Sequence, residues 1–129
     1  MTDAADVKTR ILTEGTFDPA QFEAELRAAP RNHDVGTRVL FENEHVRVWE
    51  VRLTPGARAP FHAHTRRYFW TVVDGAIGRQ RSDDGTLRVR EYQVGETQYQ
   101  EPGPDNVMIH DLENVGDAEL RFVTVELLD

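Results

Sequence analysis

The sequence of 129 residues contains no cysteine. That absence excludes disulfide frameworks, thiolate nucleophiles and cysteine-based zinc sites together. Positive charge is also scarce: 15 lysines and arginines stand against 23 aspartates and glutamates, for a net charge of −8. Nucleic acid and anionic membranes attract basic surfaces, so neither is expected as a partner. No apolar run approaches the length of a membrane span. The first residues, Met1 to Lys8, lack the basic and apolar regions of a secretory signal, so the expected location is cytoplasmic. There is no internal repeat, low-complexity run or linker, and no phosphate-binding glycine loop, G-x-S-x-G elbow or H-E-x-x-H. What remains is the composition of one globular domain, 39% apolar and 29% charged, long enough for one sizeable core.

From Thr37 onward the chain reads as many short strands. Val39-Leu40-Phe41 precedes a turn at Glu42-Asn43-Glu44, and His45 to Leu53 is rich in valine and tryptophan. Turn signals recur at Thr54-Pro55-Gly56, Asp74-Gly75, Asp83-Asp84-Gly85, Val94-Gly95-Glu96 and Val115-Gly116-Asp117. Asp74-Gly75 predicts a two-residue hairpin, and Asp83-Asp84-Gly85 a three-residue loop with Gly85 left-handed. Ala118 to Leu128 alternates as a closing strand. This spacing predicts an all-β barrel or sandwich.

The N-terminal segment differs. Residues 1 to about 16 are polar and read as an arm. Asp18, Pro19 and Gln21 then stand at cap, first-turn and capping-box positions, with Phe17 and Phe22 at the two staple positions. The predicted helix is short, buries Phe22, Leu26 and Ala29, and stops near Pro30. Residues 1–34 are accordingly assigned to an arm and helix leaning on a barrel of residues 35–129.

The candidate chemistry lies in Gly56 to Gly75. His62 and His64 are two residues apart, so on a strand both imidazoles face one spot. Gly56, His62, His64 and Gly75 fall in register with the first of two motifs of the cupin family, which this stretch resembles. That motif places a glutamate seven residues before its last glycine; here the position is Tyr68. The second motif is matched by Gly95 and Gly103, with Pro102 beside the expected proline. Its histidine slot holds Asn106, while His110 follows four residues later with the motif's spacing to Asn114. We read a four-residue insertion with His110 as third ligand. His33 and His45 read as surface residues.

The resemblance implies a double-stranded β-helix, the cupin jelly-roll barrel, with the short helix outside it. It also implies a site for one divalent transition metal on His62, His64 and His110, iron(II) favoured, with zinc, nickel, manganese or copper also suited to imidazole. Three protein ligands leave open positions, as catalytic sites require. Tyr68 is read as a catalytic donor beside the metal, with phenolate ligation or simple space-filling as alternatives. If Asp74-Gly75 closes a hairpin, then Trp70, Ile77 and Arg79 share the cavity-facing side, and Arg79 would hold a substrate carboxylate. Tyr99, on the strand before the second motif's loop, completes the substrate-facing set. The implied activity is that of a three-histidine iron(II) dioxygenase on a small, anionic organic substrate. The alternatives are a lyase, a metal-free dehydratase, epimerase or isomerase using a cavity histidine as base, and a non-catalytic binding module. Pairing of barrels into a homodimer is a further expectation of the family.

Overall fold

The computed structural model describes residues 10–129. Residues 1–9, the start of the expected arm, lie outside the described residues. Among the described residues, ten strands form two antiparallel sheets of five. The strands are β1 (Arg10–Thr16), β2 (Arg38–Glu42), β3 (Val46–Leu53), β4 (Arg58–His64), β5 (Tyr68–Asp74), β6 (Ile77–Arg81), β7 (Thr86–Glu91), β8 (Thr97–Gln100), β9 (Met108–Asn114) and β10 (Leu120–Leu127). One sheet runs β1-β7-β6-β9-β4 and the other β2-β3-β10-β5-β8. This is the double-stranded β-helix that the resemblance implies, and it meets the all-β expectation from the turn spacing. Residues 10–16, read as arm, instead form the edge strand β1 on β7.

The apolar core lies between the sheets, where Val51, Leu53, Val72, Tyr92, Leu112, Leu120 and Phe122 cluster. β10 shows how alternation builds it: Leu120, Phe122, Thr124 and Glu126 are buried, while the residues between them are half-exposed. Glu126 is satisfied by the indole N–H of Trp49, which donates to Oε1 at 2.6 Å, as a buried carboxylate requires.

The connection after β5 departs from the sequence expectation. β5 and β6 are not partners: β5 pairs with β10 and β8, and β6 with β7 and β9. Asp74-Gly75-Ala76 therefore carries the chain from one sheet to the other. Gly75 does not have a positive φ. It is small because a Cβ there would collide with the backbone carbonyl of Tyr92. By contrast, Gly85 has φ +89°, in the left-handed conformation its loop requires.

The N-terminal helix forms as a 3₁₀ turn at Pro19–Phe22, α1 at Glu23–Ala28 and a last 3₁₀ turn at Ala29–Arg31. Asp18 Oδ1 accepts from the Ala20 N–H at 3.0 Å, a cap worth about 1 kcal/mol. The Phe17 and Phe22 rings meet edge-on at 5.9 Å, and both pack on Phe61 of β4. The helix and following loop also cover the open edge of β4. Glu25 Oε1 accepts the Phe61 N–H at 2.7 Å, Asn32 Nδ2 donates to the Phe61 carbonyl at 3.0 Å, and the Ala63 N–H donates to the Asn32 carbonyl at 2.8 Å. Covering an edge in this way removes unpaired backbone groups, and here it steadies the strand that carries His62 and His64.

Candidate metal centre

β4 and β9 are antiparallel neighbours with His62 opposite His110. Register along β4 shifts between Ala59 and His62, and beyond that irregularity His62 and His64 share the inner face. The three imidazoles form a nearly equilateral triangle, with ring centroids 4.9, 4.9 and 4.8 Å apart and planes steeply inclined to one another. One nitrogen from each lies within 4.8 Å of the others. His33 and His45 are exposed and stand apart, as expected.

The ring environments suit metal ligation. His62 Nδ1 lies 2.8 Å from the Pro60 carbonyl; a carbonyl only accepts, so Nδ1 carries the proton and Nε2 has the free lone pair. Gln80 Nε2 lies 2.9 Å from His110 Nδ1. An amide flip, which exchanges two nearly identical atoms, sets Gln80 Oε1 there to accept Nδ1–H and frees His110 Nε2. Among the described residues His64 Nδ1 is buried with no partner, so nothing on that side of the ring fixes its tautomer. His64 Nε2 and His110 Nε2 are 3.1 Å apart. Two nitrogens each about 2.0–2.1 Å from one ion are separated by about 3.0–3.4 Å. Burial holds all three rings below the ordinary imidazole range, His64 and His110 far below; the proximity of other imidazoles adds to this for those two. They are neutral at pH 7, the state that ligates. The three-histidine group could hold a divalent transition ion.

Tyr68 lines the cavity, buried at 3% exposure, with its ring stacked on His64 at 4.0 Å. Its hydroxyl donates to Met108 Sδ at 3.2 Å. Burial pushes its phenol well above the ordinary range, so it is a neutral donor. Trp70 also lines the cavity, packed against Tyr92 and Phe122.

Three of the expected substrate-facing residues lie elsewhere. Arg79 and Ile77 do not line the cavity; Arg79 Nη2 donates to Glu113 at 2.7 Å on the outer face. Their assignment assumed a β5–β6 hairpin. Because the chain changes sheets, the inward residues of β6 are Gly78 and Gln80. Tyr99 is 48% exposed, and its neighbour Gln100 faces inward in its place. Asn106 is exposed in the loop before β9, while His110 lies with His62 and His64.

The cavity itself measures about 270 Å³. Polar lining residues that sequence reasoning missed include Gln80, Ser82, Arg88, Arg90 and Gln100. Alternation would have found Arg88 and Arg90 on one face of β7, in step with Tyr92 just beyond it, once Tyr92 was recognised as core. Beneath the histidines, on the outer face, lies an ion-pair network. Asp111, fully buried, accepts from Arg58 Nε and Arg81 Nη1, both at 2.8 Å, and from the Arg81 N–H at 2.7 Å. Arg58 continues to Glu25 on α1. Burial opposes ionisation of Glu25, but Arg58 and the Phe61 N–H outweigh it and hold the carboxyl below its usual range.

No helix among the described residues is long and apolar enough to cross a membrane. No curated protein matches the sequence. Solved structures match in fold. A cupin domain from Bordetella pertussis is 24% identical, covering 70% of this chain and 88% of that one, with a TM-score of 0.61. A protein with a double-stranded β-helix domain from Klebsiella pneumoniae is 23% identical over 69% and 68%, with a TM-score of 0.55. A Cupin 2 conserved barrel domain protein from Salinispora arenicola is 21% identical over 71% and 73%, with a TM-score of 0.52. The cupin domain family itself matches residues 49–126, from β3 through β10 and across all three clustered histidines, and the chain belongs to that family.

Proposed function

We propose that this cupin is a metal-dependent enzyme acting on a small anionic organic substrate, and that it is a three-histidine iron(II) dioxygenase. The observation that carries the reading is the triangle of neutral imidazoles in a cavity of about 270 Å³. His62, His64 and His110 would hold the ion. When bound, iron(II) supplies the redox chemistry by which O₂ reacts with an organic molecule. The protein's own part is positioning. The Pro60 carbonyl and Gln80 orient two of the rings, as the outer partners of ligating histidines do. Tyr68, kept neutral by burial, offers a proton beside His64. Trp70 and Phe122 shape an apolar wall that limits water.

A second reading rests on the 3.1 Å contact between His64 Nε2 and His110 Nε2, which is also the geometry of a hydrogen bond. In it the cavity works without metal, and one of these low-pKa imidazoles serves as general base for a dehydration or epimerisation. Oxygen uptake separates the two. Protein loaded anaerobically with iron(II) should consume O₂ with a member of a panel of small carboxylic acids, and His62→Ala should abolish this. Equal turnover of that substrate by metal-stripped protein, with solvent deuterium incorporated and no O₂ consumed, favours the second reading.

A further inference from the structure

The cavity is electropositive although the protein is acidic. Among the described residues, its lining includes two arginines, Arg88 and Arg90, and no aspartate, glutamate or lysine. Both arginines project from one face of β7, whose next inward residue, Tyr92, is buried core. Arg88 is exposed near the rim, and its Nε lies 3.6 Å from Glu14 Oε1 of β1. Arg90 is deeper. It lies opposite Gly78 of β6, which presents no side chain, and Ile11 of β1, which cannot accept a hydrogen bond. Among the described residues its Nε is buried without a partner and no carboxylate lies within 4.0 Å; the guanidinium hydrogen-bonds the Tyr92 side chain, a neutral phenol that does not offset its charge. The other inward arginine position is thus compensated while this one is not. Arg79 and Arg81, on the same sheet but facing outward, both reach Glu113.

A partly buried guanidinium without an anion is costly, because it has lost water and gained no charge partner. We infer that Arg90 is the carboxylate-binding group of the cavity, completed by the substrate rather than by the protein. A planar guanidinium pairs a carboxylate through two parallel hydrogen bonds. Apolar side chains, among them Val51, Trp70, Leu112 and Phe122, also line the cavity. The ligand class is therefore a compact carboxylic acid with an apolar portion, its carboxylate on Arg90 and its remaining polar group toward the histidines. This deepens the proposed function and rests on that reading only for the histidine end; the carboxylate end is testable without metal.

The test uses benzoate, with neutral benzamide as its isostere, titrated into metal-free and iron(II)-loaded full-length protein. Trp70 fluorescence and the ¹⁵N resonance of Arg90 Nε–H report binding. Benzoate should bind saturably to both forms, and benzamide at least about tenfold more weakly, the value of a charged hydrogen-bonded pair. Arg90→Gln should lose at least about tenfold in benzoate affinity with its metal content unchanged, Arg90→Lys should fall between, and Arg79→Gln should match wild type. Thermal unfolding of each variant shows which are folded, and Arg90→Lys keeps the charge should the glutamine variant fail. Equal affinity for benzoate and benzamide, no saturable benzoate binding, or unchanged affinity in folded Arg90→Gln or Arg90→Lys would overturn the inference. Failure of the metal reading appears separately, as protein that binds benzoate but takes up no iron.

Discussion

Strands β4, β6 and β9 carry different chemistry on their two faces. The outer face holds Arg58, Arg79, Arg81, Asp111 and Glu113, and α1 adds Glu25; each arginine there meets at least one carboxylate. The inner face holds His62, His64, His110 and Gln80, with no carboxylate among the described residues lining the cavity. Consecutive residues thus serve opposite ends: His110 faces the cavity and Asp111 the network; Gln80 touches a histidine and Arg79 a glutamate. The outer face spends its charges on holding the strands and the helix together. The inner face keeps its histidines neutral and brings one nitrogen of each together, where an ion or a ligand could meet them.

The contrast predicts that inner-face changes alter chemistry with little loss of stability, and outer-face changes do the reverse. The largest effect is expected at Tyr68. Tyr68→Phe removes only a hydroxyl bonded to a thioether, so the fold and the metal should survive. Turnover of the substrate found by oxygen uptake should fall about ten- to ten-thousand-fold, the range for a positioned acid or base. Full activity would reduce Tyr68 to filler, and metal loss would make it a ligand. Next is Asp111→Ala, which strips a partner from both Arg58 and Arg81 at a fully buried position. Urea unfolding should show a loss of roughly 3–5 kcal/mol, with metal still bound by the folded fraction.

Gln80→Leu should weaken metal affinity by about ten- to a hundredfold, the usual cost of losing a ligand's outer partner, with little change in urea midpoint. Competition with a metal-sensitive dye would measure it. The smallest effect belongs to Arg79→Gln, at a partly exposed pair worth no more than about 1 kcal/mol. Metal content and turnover should be unchanged. A large loss of turnover in Arg79→Gln would erase the distinction between the faces.

Much of this was legible locally and little of it across the barrel. The helix start was readable because Asp18, Phe17 and Phe22 act within a few residues of one another. His110 was recoverable through Asn114, whose side chain ties the end of β9: Nδ2 donates to the carbonyls of Leu53 and Ala118, and Oδ1 accepts the Gly116 N–H. Those bonds demand an asparagine at that place, which makes the spacing back to His110 informative. Parity on β6 was not readable. Asp74-Gly75 has the composition of a tight hairpin, but Gly75 is there because Tyr92 passes against it. That long-range contact moves the chain to the other sheet and reverses which residues of β6 face inward. The sequence therefore points Ile77 and Arg79 into the cavity and conceals Gln80. Likewise the edge strand β1 depends on β7, 70 residues and more away in sequence, and its own residues gave no amphipathic signal.

The most direct test of the central claim is iron content after anaerobic loading with iron(II) and desalting, compared between wild type and His110→Ala. His110 is the ligand whose place in the sequence departs from the family motif, so it discriminates best. The account predicts close to one iron per wild-type chain and almost none in a His110→Ala protein that remains folded. Wild-type protein that retains no iron, or His110→Ala that retains as much as wild type, would contradict it.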